Sequence, residues 1–361
     1  MSELKTWSEV KSECDYRGII VGNGASLSVW PHFKYESLYS IAKKERYLDD
    51  TSDDIFSMLD TKDFERVLGT LRVTVSINAH LGLETSRLED MYRTVRKALG
   101  RAVSKIHIPW DERLKKKLQL IRSEILKYDA VFSTNYDLIL YWALLSENDF
   151  SGFTDFFRHK VTIREGEETF LAFDPGPPAN ADGMTKVFYL HGGLHLYVLP
   201  NGKTAKYTRQ TFSGVSTQTL IDAFLRYAMG EGGKDIGDEP VPLLVTGGDA
   251  MDKLQVISSS DYLWFAYDTL VNWRRPIVIF GHSLRESDDH IVNAVASDKE
   301  RALAISVFPG TEEEVERQIA EYRRRLVGHK KLRFFDATTH PLGDPSLRVR
   351  GDEIPGGPFA A

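Results

Sequence analysis

Four short apolar runs in this chain each end abruptly in small polar or glycine residues. They are Gly18-Ile19-Ile20-Val21, followed by Gly22-Asn23-Gly24-Ala25-Ser26; Asp129-Ala130-Val131-Phe132, followed by Ser133-Thr134-Asn135-Tyr136-Asp137; Val187-Phe188-Tyr189-Leu190, followed by His191-Gly192-Gly193; and Pro276-Ile277-Val278-Ile279-Phe280, followed by Gly281-His282-Ser283-Leu284. Runs that are apolar at successive positions suit strands buried on both faces, the situation in a parallel sheet covered by helices. After the second run, residues 138–145 turn helical in character. Strand, polar switch, helix is how an open α/β sheet presents a ligand site at the carboxyl ends of its strands. Four such ends can converge on one crevice, and that crevice is read as the active site.

The rest of the chain fits the same plan. Strands are expected at 17–22, 129–134, 186–190, 243–246, 276–280 and 303–308, alternating with helices at 137–146, 220–229, 262–273, 289–296 and 312–326. That alternation implies an α/β fold with a Rossmann-like parallel sheet and helices on both faces. Residues 169–173 and 332–335 read as further short strands, and 174–178 as a break. Residues 194–199 and 204–208, joined through Asn201-Gly202, read as a hairpin. A charged, Gly-rich loop is expected at 230–240.

Residues 34–127 differ. Apolar residues such as Phe64, Val67, Leu68 and Leu71, or Leu114, Leu118, Ile121 and Ile125, recur at helical spacing, with Asp63 and Glu112 near helix starts. The chain therefore divides into a Rossmann-like domain of 1–33 and 128–340, a helical insertion of 34–127 after the first strand, and an irregular Gly- and Pro-rich tail of 341–361. At 361 residues it exceeds what one core usually organises, which agrees with an insertion.

Bulk properties exclude several classes. A formal net charge of −6 disfavours general nucleic-acid binding. Cys14 is the only cysteine, so no internal disulfide and no cysteine-based zinc site can form. The N-terminus lacks an apolar signal core and no run approaches membrane-spanning length, so a cytoplasmic protein that does not engage a membrane is expected.

The candidate chemical residues each carry two readings. Gly22 and Gly24 suit either a tight turn or close approach to a phosphate; Leu27 stands where a third fingerprint glycine would be. Asn135 and Asp137 can hold a ribose hydroxyl, a water or a carboxamide, or can cap the next helix. His191 beside a glycine turn can serve as a general base, or can be a core histidine. Gly281 and Ser283 suit contact with a phosphate or ribose, and Thr246-Gly247-Gly248 is a weaker case; Asp288 and Asp289 can each cap the helix at 289–296. His191 and His195 have the i, i+4 spacing of a zinc pair, but glycines lie between them and no HExxH glutamate is present, so no metal site is expected.

Taken in order, these motifs resemble the SIR2-like (sirtuin-related) NAD-binding superfamily. The block Tyr189-Leu190-His191-Gly192-Gly193-Leu194-His195-Leu196-Tyr197, with the later Ile279-Phe280-Gly281-His282-Ser283-Leu284, looks most like the bacterial DUF4917 branch. The resemblance spans about residues 17–310. It implies that Gly22, Gly24, Ala25 and Ser26 face the NAD phosphates, and that Asn23, Thr134 and Leu284 also belong to the cofactor site. Asn135 would hold the nicotinamide ribose and the attacking water, and Asp137 would contact the carboxamide. His191 would be the base at the ribose hydroxyls, with Gly281 and Ser283 toward the adenosine. Deacylase sirtuins also carry four zinc-binding cysteines and an Asp-Phe-Arg element; this chain has only Cys14, and Ser28-Val29-Trp30-Pro31-His32-Phe33 lacks that aspartate and arginine.

The leading expectation is an NAD+ glycohydrolase that uses NAD as substrate and no metal, of the kind found in bacterial antiphage defence. An NAD-dependent deacylase or ADP-ribosyltransferase, and a non-catalytic nucleotide sensor, are the alternatives. A constitutive NAD hydrolase would poison its host, so control by homo-oligomerisation or by a regulatory partner is expected.

Overall fold

The computed structural model describes residues 4–33, 35–108, 112–147, 151–163, 168–176, 182–208, 220–221, 223–224, 240–245 and 249–350. Among these, the strands in chain order are β1 Gly18–Val21, β2 Ala130–Ser133, β3 Phe153–Thr154, β4 Phe157–Ile163, β5 Glu168–Phe173, β6 Thr185–Tyr189, β7 Gly192–Val198, β8 Thr204–Thr208, β9 Val241–Leu244, β10 Ile277–Phe280, β11 Leu303–Val307 and β12 Leu332–Asp336. They form a seven-stranded sheet, ordered β12-β11-β10-β1-β2-β6-β3, and a five-stranded one, ordered β4-β5-β8-β7-β9.

Every pairing in the larger sheet is parallel. β1, β2, β10 and β11 are buried along their whole length, as their unbroken apolar sequences require. Alternate residues serve opposite faces: Ile19 and Val21 join one core cluster and Ile20 the other. The first cluster includes the helices of the 34–127 region, among them Phe64–His80 and Ser86–Ile106. Asp63 caps the former by accepting from the Glu65 backbone N–H at 2.9 Å. All the described elements between Phe33 and Ala130 are helical.

From β1 the chain builds outward through β2 and β6, then returns to add β10, β11 and β12 on the other side of β1. The order therefore reverses between β1 and β10, which is where an open α/β sheet leaves a crevice.

Two expectations need correction. The run at 243–246 is not a strand of the parallel sheet. It becomes β9, pairs antiparallel with β7, and lies at an edge of the smaller sheet. Pro242 accounts for this, because a residue without an N–H is tolerated at an edge and not inside a doubly paired strand. Residues 157–163, not assigned from the sequence, form β4 and pair with β5, which turns the expected short strand at 169–173 into part of a sheet. The hairpin is present as β7 and β8. Thr246, Gly247 and Gly248, most of the helix expected at 220–229, the loop at 230–239, Pro177 and Pro178, and residues 351–361 lie outside the described residues. No helix among the described residues is long and apolar enough to cross a membrane.

Candidate active site

A cavity of about 380 Å³ opens at the carboxyl edge of the parallel sheet, over the switch between β1 and β10. Asn23 and Gly24 after β1, Thr134, Asn135 and Asp137 after β2, His191 after β6, and Gly281 and Ser283 after β10 all line it. The four strand ends singled out in the sequence thus meet at one place. Gly22, Ala25, Ser26 and Leu284 do not line the cavity. Leu284 is fully buried in the core cluster on the far face of the sheet, which leaves its side chain no surface for a cofactor.

The glycines have a structural cause. Gly24 N–H donates to the Gly281 carbonyl at 2.8 Å, so the turns after β1 and β10 cross in contact. A Cβ on Gly24 would lie 2.6 Å from the Gly281 Cα, and one on Gly22 would lie 2.6 Å from the Gly281 carbonyl oxygen. Gly281 itself has φ +66, in the left-handed region. The approach of one strand end to another by itself requires glycine at these positions.

Asn135 and Asp137 belong to a buried chain of hydrogen bonds. Asn135 Nδ2 donates to the Gly22 carbonyl and to Ser26 Oγ, both at 3.0 Å. Ser26 Oγ donates to Asp137 Oδ2 at 2.6 Å, and Asp137 Oδ1 accepts from the Ile139 N–H at 2.8 Å. Asp137 thus satisfies the start of the helix Ile139–Leu144, as the capping reading expected, and it also lines the cavity. Burial pushes its carboxyl up, against the bonds from Ser26 and Ile139. Asn135 spends both amide hydrogens on the protein, so its carbonyl oxygen is what it can offer a ligand.

His107, which the sequence did not single out, supports this loop. Its Nδ1 bonds the Ile108 carbonyl at 2.9 Å, and its Nε2 accepts from the Leu138 N–H at 3.1 Å. The two bonds fix one neutral tautomer, and burial lowers its pKa to about 4.

His191 lies between the two sheets, on the turn from β6 into β7, where Gly192 has φ +75. Its Nε2 is 2.9 Å from Nε2 of His290. Asp288 and His282 stand beside this pair, with His282 Nε2 3.7 Å from Asp288 Oδ2. Lys253, only 2% exposed, bridges Asp288 at 2.9 Å and Glu65 at 3.2 Å. Burial first, then the Lys253 charge, holds His191 well below its ordinary pKa, so it is neutral at pH 7. Burial raises the Asp288 carboxyl, but His282, Lys253 and His191 together pull it far below the usual range.

His191, Asp288 and His290 offer ligand atoms within 4.8 Å of one another, a grouping hidden from local sequence spacing. Lys253 bonded to Asp288 sets a positive charge against a divalent ion there. His195 is elsewhere: it is fully buried, stacked on Tyr141 at 4.3 Å and edge-on to Tyr189 at 4.6 Å, a core histidine.

The fold and this crevice define a Rossmann-like α/β protein with a ligand-sized site at the switch point of its sheet. The chain belongs to the DUF4917 family, a domain of unknown function whose family profile matches residues 19–342. A comparison with curated proteins returned no match.

Proposed function

We propose that this protein is a SIR2-like NAD+ glycohydrolase that cleaves the nicotinamide N-glycosidic bond to give nicotinamide and ADP-ribose. The observation that carries the reading is that Asn135 and His191, from the carboxyl ends of the neighbouring strands β2 and β6, line one cavity together with the turns after β1 and β10.

In this mechanism the C1′–N bond breaks with its electron pair going to nicotinamide, leaving an oxocarbenium-like ribose. Water adds at C1′ and loses one proton. The Asn135 carbonyl oxygen accepts from that water or from a ribose hydroxyl, holding it in place. The neutral His191 accepts the proton that the water loses, relayed through a ribose hydroxyl that is reprotonated in the same step, and releases it to solvent. Asp288, kept ionised beside the cavity, favours the positive charge that develops there, in opposition to Lys253. Control by self-assembly or by a partner protein, in the cytoplasm and in antiphage defence, completes the proposal, because uncontrolled NAD+ loss would harm the host.

A second reading has one observation in its favour. A further cavity of about 710 Å³ shares Asp63, Glu65, Arg285 and Ser287 with the first, and could admit an acceptor for ADP-ribosyl transfer. Incubating the purified chain with NAD+ and no acceptor separates the readings. Free nicotinamide with ADP-ribose supports hydrolysis, product that appears only with an added acceptor supports transfer, and binding without product supports a sensor.

A further inference from the structure

We propose that His290 is a positioning residue for His191: it accepts a hydrogen bond from His191 Nε2 and so leaves Nδ1 of His191 as the basic nitrogen toward the cavity. The inference rests on the glycohydrolase reading both for its kinetic consequence and for the choice of tautomer; the geometry supplies the contact between the two rings.

The two Nε2 atoms are 2.9 Å apart, and a contact of that length between imidazoles needs one hydrogen between them. Two arrangements are available. If His290 donates, His191 carries its own proton on Nδ1, both of its nitrogens are occupied, and it has no lone pair for a substrate. If His191 donates, Nδ1 is free to take a proton. Only the second makes His191 a base, and it requires an acceptor at the position His290 Nε2 occupies. The logic is that of the carboxylate behind a catalytic imidazole, with a neutral ring in its place.

The surroundings fix the His290 backbone, while its ring Nδ1, which carries the proton in this arrangement, is buried with no hydrogen-bond partner among the described residues. His290 is the second residue of the helix Asp289–Ala296, is 2% exposed, and its carbonyl accepts from Tyr267 Oη at 3.2 Å. The charged and titratable groups facing His191 come from three other places. They are Lys253 on the helix Ala250–Ser258, tied to Glu65 on Phe64–His80; His282 after β10; and Asp288 just before His290. His282 accepts from the Leu284 N–H on Nδ1 at 3.0 Å, so its remaining proton is on Nε2, directed to Asp288. When His191 takes a second proton, the new charge is shared across the bond to His290 and faces the Asp288 carboxylate.

The test compares wild type with His290→Leu and His290→Gln, each first shown to be folded by circular dichroism. With NAD+ as substrate, His290→Leu should lower kcat ~10–100-fold at unchanged KM. The acid limb of its pH–rate profile should move to lower pH, because the imidazolium loses its acceptor. His290→Gln, which offers an amide oxygen at similar reach, should recover part of the rate. A purely structural role would not move the limb. A folded His290→Leu with wild-type kcat and an unmoved limb overturns the inference while leaving the glycohydrolase reading intact. If wild type does not cleave NAD+, the functional reading fails, and side-chain nitrogen NMR of the ¹⁵N-histidine-labelled protein decides the tautomer alone. His191 protonated on Nε2 supports the inference, and His191 protonated on Nδ1 overturns it.

Discussion

The Asn135 amide nitrogen donates to the Gly22 carbonyl oxygen at 3.0 Å, fixing the strand end after β2 onto the turn after β1. The side chain assigned to the chemistry is thus also a clamp between two strand ends. Asn135→Ala would remove one of the two donors to the Gly22 carbonyl, which keeps the Ala25 N–H at 3.0 Å, and would leave Ser26 Oγ without the amide donor. Asn135→Ala and His191→Ala should each reduce NAD+ cleavage by ~10²–10⁴-fold with the chain still folded. Nicotinamide release by the purified variants is the measurement, and wild-type turnover in either removes that residue from the mechanism.

His195→Ala should act differently. The ring is fully buried between Tyr141 and Tyr189 and lies outside the cavity lining. Its loss should lower the urea midpoint, as a large-to-small core change does, and leave kcat of the folded protein near wild type. A large drop in kcat without loss of stability would place His195 in the site.

Gly24→Ala should disrupt the crevice. The added methyl carbon would stand 2.6 Å from the Gly281 Cα, and neither backbone can yield without breaking the Gly24–Gly281 hydrogen bond. A loss of about 2 kcal/mol or more is expected, together with weaker nucleotide binding. Calorimetry of unfolding and of NAD+ binding would check both, and an unchanged melting temperature would contradict the crossing of the two turns.

Lys253→Met should be among the most damaging single changes. It leaves Glu65 and Asp288 as half-buried carboxylates with no ammonium between them. Breaking a buried pair from one side costs about 3–5 kcal/mol. Adding Glu65→Gln to Lys253→Met should recover part of that loss in denaturant unfolding. Additive losses would show that the two side chains do not interact.

Acid should destabilise the fold before ordinary carboxylates titrate. Burial holds His107 and His290 at about 4 and His340 at about 3. Each native value is below the ordinary ~6.5, so the unfolded chain binds protons first as pH falls. Stability is therefore complete above pH ~6.5 and declines as pH drops toward 4 and below, by on the order of a few kcal/mol in all. Urea midpoints at pH 7.5 and pH 5 would test this, and equal midpoints would contradict it.

Much of the sheet was readable because a doubly buried parallel strand must be apolar at successive residues. β1, β2, β6, β10 and β11 carry that pattern plainly. β9 carries a similar short apolar run, yet Pro242 and its pairing with β7 place it in the other sheet. β4 was missed because, after the buried Phe157, its residues Arg158, His159 and Lys160 are polar and partly or fully exposed, so no apolar run marks it.

The same division runs through the candidate site. The sequence by itself determined that small polar residues follow four buried strands, because a strand end facing a crevice cannot remain apolar and still meet a polar ligand. That placed Asn135, Asp137, His191, Gly281 and Ser283 correctly at one sheet edge. Only the tertiary structure decided which side chains face each other there. His290 reaches His191 across 99 residues, and Lys253 joins Glu65 to Asp288 across 188 and 35. Such contacts are set by how the helices settle on the sheet, and local sequence carries no record of that packing. The glycines at 22, 24 and 281 show the same limit. Their conformational freedom was legible, but that two strand ends use it against each other is a fact of three dimensions.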